Sequence, residues 1–488
     1  MPAEQTEAKT RTSYPIFEIG DQARSPFLST VDRVNAMVEM TTNGKQPVAL
    51  VGMPGLIRYA QFAEGPARGI FVQEGSLSFF IATGNQVLLV SPSGQTVVAN
   101  LETDSGPVWM DSSGVELFIN DGETAFLYAH ATGVTTAVTS VNYPAKARGV
   151  VFLQGRFWVY VTAGINAGRV FASDQYNGNG WDALNFIAPA ARPGGIVTIT
   201  RWADDLVIIG NKSIEWWSGA PTPISGALGF QPSAPANTEV GGSAERGVAR
   251  VGQKLFFIGH TDGPAGLYEV QGYRVAPVQN IKAEVGISRL FASSAICSGY
   301  TITGHEFVTI TVQGGSGLQA ASWVFDAISG QWSRRSSIGK PYYRGLLAVS
   351  TLAGAYMTDA FTGILYKIDE SAFDEDGEPM EFEIVSRHIL NDGDHLTMHG
   401  IQIDVETGVG TATGQGADPH CILSISKDHG KTWIMERHPS LGRVGEYKRR
   451  ASEDRFGMAR DFAVKFRITD PVPRRVTGAF LIAEQGYA

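Results

Sequence analysis

The segment Ser426-Lys427-Asp428-His429-Gly430-Lys431-Thr432-Trp433 has the pattern S-x-D-x-G-x-T-W, an Asp-box. Its chemistry is that of a turn. The Asp and Ser or Thr side chains accept from turn amides, Gly takes positive φ, and Trp packs beneath. Asp174, Asp204, Asp205 and Asp359 could serve acid–base work, but each stands where Asp commonly makes turns. His395 and His399 lie four apart ahead of a strand-like run, with no Glu beside the first His, so the zinc-protease pattern fails. Asp374-Glu375-Asp376-Gly377-Glu378 resembles part of a calcium loop without its 12-residue ligand spacing, and reads as a solvated linker. Residues 408–416 are glycine-rich, but no Lys-Ser/Thr follows, so they form a hairpin tip and not a phosphate cradle.

The most suggestive patch is basic. Residues 443–475 carry ten Lys or Arg against five Asp or Glu. Its first members, Arg443, Lys448, Arg449, Arg450 and Arg455, are the candidate contacts to an acidic partner or to DNA, against the plainer reading of a solvated strand face. Catalytic, cofactor and metal residues are not assigned. Asp-boxes do occur in sialidases, normally several to a chain, and one is present here. A sialidase-like propeller glycosidase is therefore the alternative reading, which requires two carboxylates at a fixed separation. A glycan-binding propeller is the third, with Trp181, Trp216 and Trp217 as its platform; as plain structure, these aromatics pack blades.

The elements that hold these residues are short alternating or apolar runs ended by Gly, Asn, Asp or Ser, which predict antiparallel strands. With 57 Gly, 23 Pro and 18% charged residues in 488, the composition suits many strands and tight turns. Arg-Gly pairs open units at Arg68, Arg148, Arg246 and Arg344, with similar openings near Pro107, Gly195 and Ser293. Spacings of roughly 40–50 residues match four-stranded propeller blades, about seven of them with six to eight allowed. The chain divides into an N-terminal arm (1–66) docking on the sandwich or a neighbouring subunit, a β-propeller (67–370), an acidic linker (371–383) and a separate C-terminal β-sandwich (384–488).

A net charge of −9 argues against gripping nucleic acid by counterion release. Cys297 and Cys421, in no CxxC arrangement, disfavour a disulfide scaffold or thiolate zinc site. The polar N-terminus lacks a signal-peptide pattern, and the absence of a long apolar run predicts no membrane insertion by this chain. A reducing, cytosol-like compartment of synthesis follows.

Several segments, in order along the chain, resemble phage packaged-DNA stabilisation proteins, the tail hub or nozzle of short-tailed phages. These are Lys45-Gln46-Pro47-Val48-Ala49-Leu50 with Pro54-Gly55-Leu56, Ala172-Ser173-Asp174 with Trp181-Asp182-Ala183-Leu184, and Ser213-Ile214-Glu215-Trp216-Trp217. Ser424–Trp433, Gly445-Glu446-Tyr447 and Thr469-Asp470-Pro471-Val472 with Val476-Thr477-Gly478-Ala479 close the series. The resemblance implies a hexameric ring below the portal and its adaptor ring, extending the DNA channel and retaining the packaged genome. It implies partners in tail fibres or spikes and a needle or plug, with double-stranded DNA passing non-specifically. It implies a virion-tail protein assembled in the host cytoplasm, with no cofactor and no catalytic residues. An acidic wall repels phosphate and lets DNA slide.

Overall fold

A computed structural model describes residues 11–14, 23, 25–40, 47–63, 65–192, 194–219, 229–237, 239–289, 292–314 and 320–485. Lys45 and Gln46 lie outside them. The strand Ala147–Leu153 alternates buried and half-buried residues, while its neighbour Arg156–Val161 is buried throughout. Such two-faced burial arises when the sheet is covered by another sheet on each side. That is the situation of a propeller blade.

Among the described residues there are seven blades, their sheets beginning at Ala67, Trp109, Ala147, Ile196, Gly241, Ala295 and Gly345. Seven apolar clusters lie between them, each drawing residues from two neighbouring blades. The ring closes where Phe79 and Ile81 of the first blade share a cluster with Tyr356 and Leu365 of the seventh. The seventh blade has only three strands of its own, Gly345–Thr351, Gly354–Asp359 and Gly363–Asp369. Its outer strand is Gly55–Ala63, from before the first blade. The two chain ends of the ring are thus hydrogen-bonded together, and no open edge remains there. The helix Ile281–Arg289, capped by the Asn280 side chain on the Ala283 amide (3.0 Å), buries Ala283 and Ile287 beside the sixth blade.

The Arg-Gly repeat has a physical cause. In the first, third and seventh blades it falls at a register shift of the opening strand, a β-bulge. A Cβ on Gly69 would lie 2.2 Å from the Val108 carbonyl oxygen of the next blade, an impossible approach for any side chain. The Arg68 carbonyl accepts from the Val108 amide (3.3 Å) and the Arg246 carbonyl from the Cys297 amide (2.9 Å). At Gly69, bare backbone is what lets the second blade come this close to the first.

Two expectations change. The C-terminal sandwich is not separate. One of its sheets takes the strands Ala36–Met40 and Val48–Gly52 beside Arg475–Gln485, Leu396–Val405 and Ala451–Ala459. Its other sheet, with Phe382–Val385, Asp461–Ile468, Ile422–Ser426 and Ile434–Arg437, continues through Asp32–Val34 into the sixth blade. Asn35 turns the chain from this bridge at φ 51; its buried amide donates to the Ser336 and Glu381 carbonyls (2.9 and 2.8 Å). Asn tolerates that conformation better than other non-glycine residues.

The acidic stretch is likewise not a solvated linker. Asp374–Glu375 and Glu378–Pro379 form a hairpin on the edge of Gly55–Ala63, with Glu375 1% exposed. Burial raises the Glu375 carboxyl above its ordinary range, and Arg344 bonds its carbonyl (3.1 Å). Asp376 meets Arg58 at 2.6 Å. Positive groups from the propeller and arm draw this segment in.

Candidate functional site

Arg443, Lys448, Arg449 and Arg450 occupy loops at one end of the sandwich, while Arg455 lies within the strand Ala451–Ala459. Two loops meet there, residues 406–420 and 440–450. The Gly408 amide donates to the Leu441 carbonyl (3.0 Å), and the Gly445 amide donates back to Gly408 (3.1 Å). Thr407 Oγ1 donates to the Tyr447 and Arg449 carbonyls (3.3 and 3.2 Å), which fixes the backbone of the basic loop. Arg443, Lys448, Arg449, Arg450 and Arg455 are all exposed. Arg443 pairs with Asp418 at 3.1 Å. Lys448, Arg449, Arg450 and Arg455 form no ion pair among the described residues. Lys448, Arg449 and Arg450 line an open depression of about 580 Å³, shared with His420, His438 and Glu453. It suits an anionic or acidic partner. Sequence reasoning missed the two histidines because they flank the hairpin 422–437, and only the folded chain brings them beside the basic loop. Further along the run the reading of an exposed face fails, since Arg474 is 1% exposed.

The Asp-box residues form a turn between Ile422–Ser426 and Ile434–Arg437. The Gly430 amide donates to Ser426 Oγ (2.9 Å), and the Lys431 and Thr432 amides to Asp428 Oδ1 (3.1 and 2.9 Å). Thr432 Oγ1 donates to Asp428 Oδ2 (2.6 Å). These bonds, first that from Thr432, hold the exposed carboxyl far below its usual range. Trp433 is half-buried, with Lys465 Nζ 4.5 Å above its ring. Gly430 sits at φ +77, and a Cβ there would meet Thr30 Cγ2 at 2.7 Å. Gly430→Val is therefore expected to cost about 1–3 kcal/mol in a urea titration, because strain adds to the clash with the arm. Unchanged stability would contradict the turn geometry.

The four carboxylates considered for catalysis are not assembled. Asp174 lies in the third blade, Asp204 and Asp205 in the fourth, and Asp359 in the seventh. Asp205 accepts from Ser233 (2.8 Å), and Asp359 is fully buried. Trp181 and Trp216 are buried in blade cores, with Trp217 half-buried beside one. His399 pairs with Glu484 (2.9 Å), and His395 sits just before the strand Leu396–Val405.

Fold and surface together define a scaffold: a closed propeller fused to a sandwich whose exposed loops carry charge. The propeller matches the family model described as bacteriophage P22 Gp10, beta-propeller, over residues 18–372, and the sandwich matches bacteriophage P22 Gp10, beta-sandwich, over residues 381–484. The chain belongs to this family of phage stabilisation proteins, and it has a structural role in the phage tail within the virion. A comparison with curated proteins gives no match. Among solved structures, the N-terminal domain of Nup159 is 7% identical, covering 69% of this chain and 98% of that one at a TM-score of 0.40. The Neurospora crassa Pan2 WD40 domain is 10% identical, covering 67% and 96% at 0.41. A chain of the mitotic checkpoint complex is 14% identical, covering 64% and 93% at 0.42.

Proposed function

We propose that this chain is the nozzle subunit of a short-tailed phage, building a ring below the portal adaptor that extends the DNA channel and retains packaged DNA. The observation that carries this reading is the family match across both the propeller and the sandwich. The chain acts as a structural part and not as an enzyme. Its exposed basic loop engages an acidic surface of a neighbouring tail protein or passing DNA, and tail fibres, spikes or a needle attach to the assembled ring.

Sizing and electron microscopy of the purified chain mixed with the adaptor test this; six-fold rings are expected, and a monomer indifferent to adaptor and portal contradicts it. Arg449→Glu with Arg450→Glu should weaken assembly or genome retention while circular dichroism stays unchanged, because both side chains are exposed. Surface charge reversals of this kind act on association and not on the fold. Particles of normal yield and DNA content would remove the loop from the contact.

A further inference from the structure

The arm, the Asp-box and the sandwich core meet at three side chains that no local spacing connects: His388, His429 and Asp461. Their ligating atoms all lie within 4.8 Å of one another. Asp461 opens a core strand with its side chain 3% exposed; His388 is 11% exposed, and His429 lies on the turn at 41%.

The hydrogen bonds decide what this cluster needs. His388 Nε2 is 2.7 Å from the Pro26 carbonyl oxygen, which only an N–H can satisfy. That places the proton of a neutral ring on Nε2 and leaves a lone pair on Nδ1. Nδ1 nevertheless faces both oxygens of Asp461, at 2.9 and 2.8 Å. His429 Nδ1 approaches the same Asp461 Oδ2. A lone pair against a carboxylate is repulsive unless positive charge stands between them. An imidazole whose far N–H is held by a backbone carbonyl is also the usual second shell of a metal-bound histidine.

We propose that His388 Nδ1, His429 Nδ1 and Asp461 Oδ2 bind a divalent cation of the Zn²⁺ class. Two imidazoles and one carboxylate suit that class; ligand atoms around a tetrahedral zinc stand roughly 3.3 Å apart, given bonds of about 2.0–2.1 Å, so both histidines draw back from Asp461 Oδ2 when the ion enters, His388 from 2.8 Å. The exposed side of His429 leaves a fourth position for water or for a partner's side chain. Through Pro26 the ion fastens the arm, and through His429 the Asp-box turn, to the strand Asp461–Ile468. This site is independent of the nozzle reading.

The test uses the full-length chain after chelation, titrated with Zn²⁺ by calorimetry and with Co²⁺ by visible absorption. One equivalent should bind, with the intense visible bands of tetrahedral Co²⁺, and Zn²⁺ should raise the melting temperature. His429→Asn is chosen because Asn tolerates the φ of 61 at this position. It should weaken Zn²⁺ binding by roughly 10-fold or more with an unchanged circular dichroism spectrum, and Asp461→Asn should do the same. His399→Asn, which removes the His399–Glu484 pair, should bind Zn²⁺ as the parent does. Absence of saturable binding, or equal affinity in the parent and His429→Asn, overturns the site and leaves His388 as an imidazolium donating to Asp461.

Discussion

Asp359→Ala is expected to destabilise the propeller by about 3–5 kcal/mol, a large share of the stability of an ordinary domain. The side chain of Asp359 is wholly buried, and that of Arg344 is 12% exposed. Asp359 Oδ2 accepts from Arg344 Nε (2.9 Å) and from the Tyr366 hydroxyl (3.0 Å). Oδ1 accepts from the amides of Phe361 (2.7 Å) and Thr362 (3.0 Å), which turns the chain into the strand Gly363–Asp369. Alanine leaves a guanidinium in low dielectric with the Glu375 carbonyl and the Tyr366 ring 5.2 Å away, and it frees two turn amides at once. Asp359→Asn keeps an acceptor for those amides but loses the charge, so its cost should be smaller. Urea denaturation of both variants checks this ordering; a shift in Asp359→Ala below about 0.5 kcal/mol would mean that the network is dispensable.

The same four bonds speak against acid–base work by Asp359. A carboxylate with both oxygens engaged by its own blade has no oxygen to offer a substrate, and the other carboxylates considered belong to different blades. From sequence, Asp359 was visible only as a turn residue. That was sound for Oδ1 and silent on Arg344, although the partner is the arginine of the Arg-Gly pair that opens the same blade. The repeat was legible because most blades are local objects of sequential strands, the seventh alone borrowing its outer strand from Gly55–Ala63. What it lacked was its cause: Gly69 looks like any strand glycine until the Val108 carbonyl is placed beside it.

Features joining distant segments were not legible. Gly55–Ala63 pairs with Gly363–Asp369, and Asp32–Val34 with Phe382–Val385, across some three hundred residues. Alternation marks these segments as strands, but nothing in a period of two names the partner. His388, His429 and Asp461 share the difficulty, since each falls in its own turn or strand end and only the folded sheet gathers them. The acidic stretch misled for an electrostatic reason. Eight carboxylates in residues 369–383 read as a solvated run, yet Arg58, Arg344 and Arg474, far away in sequence, make that segment a packed one.

The sandwich on its own, residues 381–485, is expected not to fold stably, whereas joining residues 29–53 to it should restore a cooperative melt. Ala36, Val38 and Leu50 belong to its core, and removing Val38 and Leu50 alone forgoes about 3–6 kcal/mol of burial. Without Asp32–Val34 the strand Phe382–Val385 becomes an open edge, and Val48–Gly52 leaves a second beside Arg475–Gln485. Arg474, 1% exposed, donates from Nη2 to the Phe373 carbonyl (2.6 Å) and the Asp470 carbonyl (3.1 Å). Burial already depresses its guanidinium to about 10; a cut at residue 381 removes the nearer acceptor from both fragments alike, so the contrast between them rests on the core residues and the strand edges. Thermal melts followed by circular dichroism, with and without residues 29–53, decide the matter. A fragment that melts cooperatively at the temperature of the fusion would show that the arm only decorates the sandwich. If the arm is required, a load on the sandwich reaches the sixth blade through a continuous sheet and the seventh through Gly55–Ala63.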